Sequence, residues 1–384
     1  MHSLPTSGVD SQVVDLAARV AEECLWPRAA HYDESGSYPV ESWADLWKHG
    51  LLAAAAPEAY GGLGLDMPAY TAVVERLAYG CTNTAMTMHM HSVVLRFIDA
   101  LATLEQKRRF YAEVVDEGKL FASWGSEPGR RGGSRAARGT IVAPVEDGYV
   151  INGAKHFCSM AGAAHRNMVH CDMEGSRDGD GFQLVLVPSG TPGMEISGEW
   201  NVLGMRATVS PTVTFRDCRV SDDAMLGKPG VALEQGVTEG FGLGYAAVYL
   251  GAAQRALDHT VEFCKANRVY PAPDPLSHDV VVQRSVADMA IALESARHML
   301  YESAGWWEDA GADERRVLAA RAKYAASRAS LDVTSQCLQT VGGRGARKEM
   351  PLERIYRDVR TATLMPPNMD VSMELVGRAE LDVH

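Results

Sequence analysis

Apolar positions recur at helical spacing over the first third of the chain, at strand spacing over the middle, and at helical spacing again towards the end. In the first stretch, rich in alanine and leucine, Asp10 and Ser11 predict the cap of a helix that runs towards Trp26 and stops before Pro27. Pro57-Glu58-Ala59-Tyr60-Gly61-Gly62-Leu63-Gly64 interrupts the periodicity with glycines suited to tight turns. Met67-Pro68 opens a further helix, with proline tolerated in its first turn. From Phe121 the period shortens to two. Phe182, Leu184 and Leu186 alternate with Gln183, Val185 and Val187 up to Pro188, and Val213 and Phe215 alternate with Thr212, Thr214 and Arg216. Tyr149-Val150-Ile151-Asn152-Gly153 reads as a strand running into a turn. Beyond Pro229 helices return: Val286, Met289, Leu293, Ala296 and Leu300 form one stripe, and a helix from Asp313 to Val341 is ended by Gly342-Gly343. The pattern predicts an α+β protein with an N-terminal helical domain (1–120), a middle β domain (121–228) and a C-terminal helical domain (229–384).

Composition narrows the function classes. Among 384 residues, 46% are hydrophobic and 22% charged, which is globular rather than disordered. The net charge of −12 opposes a nucleic-acid partner, which needs a basic footprint. The 7 cysteines form no CxxC pair, and an odd number cannot all pair internally, so a reduced, cytoplasmic protein without structural zinc is expected. No run of about 18 apolar residues exists, so no membrane association is expected. The segment MHSLPTSGVDSQ lacks a signal-peptide pattern.

Several segments carry candidate chemistry. Gly240-Phe241-Gly242-Leu243-Gly244 superficially suggests a nucleotide fingerprint, but no strand precedes it, which favours a structural role. Gly129-Arg130-Arg131-Gly132-Gly133-Ser134-Arg135 combines backbone amides, a hydroxyl and arginines, chemistry suited to a pyrophosphate; a solvated basic loop is the plainer reading. Gly342-Gly343-Arg344-Gly345 is either a helix stop or a close approach to a cofactor. His89 and His91 titrate near neutral pH, but two residues apart on a helix they do not share a face, so at most one addresses a given cleft. Neither HExxH nor GxSxG occurs.

The order of domains, together with Pro57-Glu58-Ala59-Tyr60-Gly61-Gly62-Leu63-Gly64-Leu65, Ser126-Glu127-Pro128-Gly129, Leu203-Gly204-Met205-Arg206, Gly342-Gly343-Arg344-Gly345 and Glu349 to Asp358, resembles the acyl-CoA dehydrogenase superfamily over nearly the whole chain. The resemblance implies a middle β-barrel, a C-terminal four-helix bundle and FAD as cofactor. It also implies a homotetramer or homodimer with the flavin shared between neighbours. By position, Ser126 matches the hydroxyl that meets the flavin pyrimidine edge and Ser134 the serine near the pyrophosphate. Phe157 stands where a tryptophan usually packs on the isoalloxazine, and Ser159 matches the hydroxyl beside N5. Arg268 looks like the arginine that reaches the pyrophosphate across the subunit interface. Gln339, Gly342 and Gly343 match the segment that cradles the adenosine half.

The departures concern the base. Dehydrogenases of this superfamily use a glutamate nine residues after the arginine of the Arg-Asp motif; counting from Arg357 gives Pro366. The alternative position, ten residues before Gly251, is Phe241. Neither side chain takes a proton, and losing a general base costs about 10²–10⁴-fold. Pro271-Ala272 also replaces the usual aromatic-glycine pair, which suggests looser flavin or flavin that exchanges in reduced form. The favoured function is therefore a monooxygenase of this fold that takes reduced flavin from a separate reductase. It would react with O₂ and hydroxylate a small aromatic molecule through a flavin hydroperoxide. Ser159 and His91, or His89, would be its catalytic residues, within walls of Trp124, Phe157 and Met365. The alternatives are an acyl-CoA or acyl-carrier-protein dehydrogenase with a relocated base such as Glu239, and a non-enzymatic binding protein of the same fold.

Overall fold

The computed structural model describes residues 11–129, 137–176 and 180–383. Helices α1 (Ser11–Val20), α2 (Trp26–Ser35), α3 (Val40–Lys48), α4 (Met67–Gly80), α5 (Thr82–Leu101) and α6 (Leu104–Val115) come first. The expected stop before Pro27 is not made. A π-helical turn, Ala21–Leu25, carries α1 into α2, and Pro27 is accommodated just after this wider turn, in which the Trp26 N–H donates to the Ala21 carbonyl five residues back. Asp66 caps α4 by accepting the Ala69 N–H at 2.8 Å. Helix α5 is buried on every side from Thr82 to Leu95, so it runs through the centre of the molecule rather than along its surface.

The middle part is one mixed sheet of β1 (Phe121–Trp124), β2 (Ile141–Val145), β3 (Gly148–Lys155), β4 (Arg166–Met173), β5 (Phe182–Pro188), β6 (Met194–Ser197), β7 (Thr212–Val220) and β8 (Met225–Leu226). Its path is β6-β7-β3-β2-β4-β5-β8, and β1 and β2 both lie parallel to β4 along successive stretches of one edge. Strand β3 does not turn at Gly153. It continues to Lys155 across an irregularity between Ile151 and Gly153 in its ladder with β7. Gly153 has φ +138°, and a Cβ there would come within 2.6 Å of Thr140 Cα, so only glycine lets the two strands approach.

The chain ends in α7 (Val231–Glu234), α8 (Phe241–Ala266), α9 (Val280–Gly305), α10 (Ala312–Val341), α11 (Pro351–Arg360) and α12 (Met369–Glu380). Helices α8, α9 and α10 pack on one another, α12 packs on α10, and α8 also lies along α4. Gly251 makes that crossing possible, since a Cβ would overlap the Glu75 carbonyl. Arg297 and Glu75, each 4% exposed, pair at 2.8 Å and tie α9 to α4. A single apolar core runs from the first helices through the sheet into the last. Among the described residues no helix is long and apolar enough to cross a membrane, and all seven cysteines are free thiols.

Candidate active site

Beyond β1 the chain enters Gly125-Ser126-Glu127, and a buried ion pair fixes this segment. The Lys155 side chain, fully buried, donates to Glu127 at 2.7 Å and to the Gly125 carbonyl at 3.3 Å. Glu127 also accepts the N–H groups of Gly139 (2.7 Å) and Thr140 (2.9 Å). Burial alone would raise the Glu127 carboxyl, but Lys155 and the amides outweigh it and hold the group at about 2. The His156 N–H then donates to the Ser126 carbonyl at 2.8 Å, leaving the Ser126 hydroxyl at a half-buried edge.

Strand β3 leads directly into Phe157, whose φ of +56° is unusual for a non-glycine residue and whose ring is 56% exposed. Met160 (φ +62°), Met205 (+56°) and Val209 (+39°) share this left-handed conformation. The two loops that carry them face each other, with Cys158 N–H donating to Pro211 and Met160 N–H to Thr208. Such strain persists where surrounding structure enforces it, commonly at functional sites. Here it enforces the orientation of Ser159. Its carbonyl accepts Trp124 Nε1–H at 3.0 Å, and its Oγ accepts the Ser210 hydroxyl at 3.0 Å. Ser210 is 2.9 Å from Thr208 Oγ1, which donates to the Met205 carbonyl. Ser159 is thereby held by a row of hydroxyls on the facing loop. Thr208 and Ser210 were not singled out in the sequence, where nothing marks two hydroxyls about 50 positions away as its partners.

The histidines divide as their spacing requires. The Phe121 N–H donates to His91 Nδ1 at 2.9 Å, so Nε2 carries the ring proton and donates to the Leu52 carbonyl at 3.1 Å. Both nitrogens are spent on backbone, and burial pushes the ring down to about 4. In this arrangement His91, expected as a catalytic residue, staples α5 to β1. His89 faces α8 instead, with Nε2 on the Phe241 carbonyl (3.1 Å) and Nδ1 2.7 Å from the Tyr70 hydroxyl. Its ring meets Phe241 and Tyr245 edge-on, and Gly244 makes room for it, because a Cβ there would overlap the imidazole. The glycines of Gly240 to Gly244 thus serve helix packing.

Both vacant base positions lie along one face of α8. Phe241 sits among His89, Phe97, His170 and Tyr245. One and two turns on, Tyr245 donates to Met90 Sδ (3.4 Å) and Tyr249 to Met365 Sδ (2.8 Å), beside Pro366. Glu239 is taken up by Arg316 at 3.2 Å. Asp358 accepts the Met205 N–H (2.6 Å) and the Asn83 amide (2.9 Å), while burial, reinforced by Asp33, pushes its carboxyl up to about 7. Arg357 holds Asp33 and Glu353. The Arg-Asp motif is a joint between parts of the fold.

Arg268, Gln339, Gly342 and Gly343 lie elsewhere. Arg344 bonds Asn267 at 3.1 Å, which brings the C-terminal ends of α8 and α10 together, and all four residues are exposed there. Helix α8 has 26 residues, so this end is about 40 Å from Phe241. One chain therefore groups Ser126, Phe157 and Ser159 at one place and these four at another. Ser134 lies outside the described residues. The chemistry fits a flavin dinucleotide: an exposed ring and a donor hydroxyl at the first place, and at the second an exposed guanidinium beside glycines with open space around them.

Family models for the acyl-CoA dehydrogenase N-terminal, middle and C-terminal domains match residues 9–117, 122–218 and 239–381. The human mitochondrial short-chain specific acyl-CoA dehydrogenase is 34% identical over 93% of this chain and 86% of its own length. Butyryl-CoA dehydrogenase from Megasphaera elsdenii superposes with TM-score 0.90 at 28% identity, over 99% of this chain and all of that one. TdsC from Paenibacillus sp. A11-2, solved with FMN and indole and described elsewhere as a dibenzothiophene monooxygenase, superposes with TM-score 0.88 at 27% identity, over 98% of each chain. With all three of its domain models matched in order and a relative one-third identical along nearly its full length, the chain belongs to the acyl-CoA dehydrogenase family of FAD-dependent oxidoreductases.

Proposed function

We propose that this member of the family is a monooxygenase that uses reduced flavin and O₂ to hydroxylate a small aromatic molecule. The observation that carries the reading is the pair of base positions: Pro366 and Phe241 replace the carboxylates, and the nearby acids Glu239 and Asp358 are committed to Arg316 and to the Met205–Asn83 joint. Flavin supplies hydride chemistry towards a saturated thioester when oxidised, and oxygen activation when reduced. Phe157 would pack on the flavin ring, and Ser126 and Ser159, the latter held at 3.0 Å by Ser210, would meet its polar edge. Trp124, which donates to the Ser159 carbonyl, backs the site with an aromatic ring, and Tyr249 and Met365 flank the position of Pro366. Arg268, Gln339, Gly342 and Gly343 serve the dinucleotide of a neighbouring copy, in a homotetramer or homodimer. A separate reductase supplies the reducing equivalents.

Rapid mixing of the anaerobically reduced, FAD-loaded protein with oxygenated buffer tests this. A transient near-ultraviolet band, distinct from oxidised and reduced flavin, is expected; direct return to oxidised flavin with an aromatic ligand present would overturn it. The identity to short-chain dehydrogenases favours a second reading, acyl-thioester dehydrogenation with a relocated base. Anaerobic bleaching of oxidised flavin by butyryl-CoA would establish that reading instead.

A further inference from the structure

Helix α10 buries Lys323 to 1% exposure, and among the described residues it forms no ion pair. Its Nζ donates to the carbonyls of Ala362 (2.8 Å), Met365 (3.3 Å) and Pro367 (3.3 Å), matching three ammonium protons to three acceptors. Ser327, one turn on, donates to Ala362 at 3.2 Å. Tyr249 reaches Thr361 (3.0 Å) and Met365 from α8, and Ser372 reaches Pro367 (3.5 Å) from α12. Side chains from three helices thus hold the segment 361–367, which contains no titratable residue. Burying an unpaired amine is costly, so a cheaper apolar clamp would serve if packing were the only demand.

The segment is also joined to Ser159. Thr361 Oγ1 donates to the Asp358 carbonyl, Asp358 accepts the Met205 N–H, the Met205 carbonyl accepts Thr208, and Thr208 leads through Ser210 to Ser159. We propose that Lys323 is a positioning residue of the active site: it fixes the segment 361–367 as a closed wall at the position where relatives carry their base, and through that segment it fixes the Ser159 hydroxyl. The catalytic consequence rests on the monooxygenase reading; the structural one does not. Burial pushes the amine down to about 7, so the clamp loses its third proton as pH rises through neutrality.

Two measurements on Lys323→Met separate these. In the flavin-free protein, hydrogen exchange at the amides from Thr361 to Met365 is expected to quicken about tenfold, with α9 unchanged. In the reduced, FAD-loaded protein mixed with O₂, the near-ultraviolet transient is expected to decay about tenfold faster; its decay should quicken between about pH 6 and 8 in the native protein and respond less steeply in the variant, where only Asp358 still titrates in that range. Unchanged exchange overturns the proposal, and so does a native transient of unaltered lifetime and pH dependence in the variant. If the native protein shows no transient, the monooxygenase reading falls and exchange alone decides the role of Lys323. Should Lys323→Met fail to fold, Ser327→Ala removes one clamp to Ala362 and is expected to quicken exchange about threefold, with unchanged exchange again overturning the proposal.

Discussion

His91 and Ser159 show how one side chain's partners decide its work. His91→Ala leaves the Phe121 N–H and the Leu52 carbonyl buried without partners, at a cost of about 2–5 kcal/mol. A marked fall in Tm is expected, with turnover per folded molecule retained. Ser159→Ala should cost only about 1 kcal/mol, yet remove a donor whose loss in comparable sites lowers turnover about 10²-fold; thermal unfolding and steady-state rates distinguish the two. Burial pushes both His89 and His91 from 6.5 to about 4. In that window the unfolded chain takes up protons that the folded chain refuses, so stability falls as pH falls from 6.5 towards 4. His91→Ala should flatten that slope in acid titrations. The sequence showed that the histidines point apart but not which one reaches α8, because their partners lie 19 to 152 positions away.

Individual elements were legible where their signals are local. Met67-Pro68 and Gly342 after Val341 bound α4 and α10 where helix-end chemistry says they should. The stop at Pro27 failed because a π turn widens the helix just before it and lets the proline be carried within a continuous helix. The end of β3 failed because Gly153 is a bulge rather than a turn, and those extra residues deliver Lys155 to the interior. The Lys155–Glu127 pair was therefore invisible, although it holds Gly125-Ser126-Glu127 in place. Glu127→Gln should destabilise by about 3–5 kcal/mol by stranding a buried ammonium. Denaturant titration would measure that loss, and equilibrium dialysis a weaker grip on FAD. Adding Lys155→Met should recover part of the stability, a coupling that a simple loss of surface charge would not show.

At the scale of the whole molecule, the family motifs act as a three-way joint. Asn83 from α5 donates to Asp358 of α11 and accepts the Ala207 N–H at 3.0 Å. Arg206 donates to the Asp33 carbonyl, and Arg357 pairs with the Asp33 carboxylate. The motifs were readable as a resemblance, but their physical task was not, since these bonds span up to 324 positions. Asn83→Ala should separate the unfolding of the helical and β parts, so that calorimetry shows two transitions where the native protein shows one. The distance of about 40 Å along α8 between the two groups of candidate cofactor residues carries a different consequence. If one flavin must touch both groups, they come from different chains, and occupancy becomes a matter of mass action. Diluting the holoprotein should release FAD at protein concentrations where an intramolecular site of equal affinity would stay filled, and adding FAD should in turn draw subunits together.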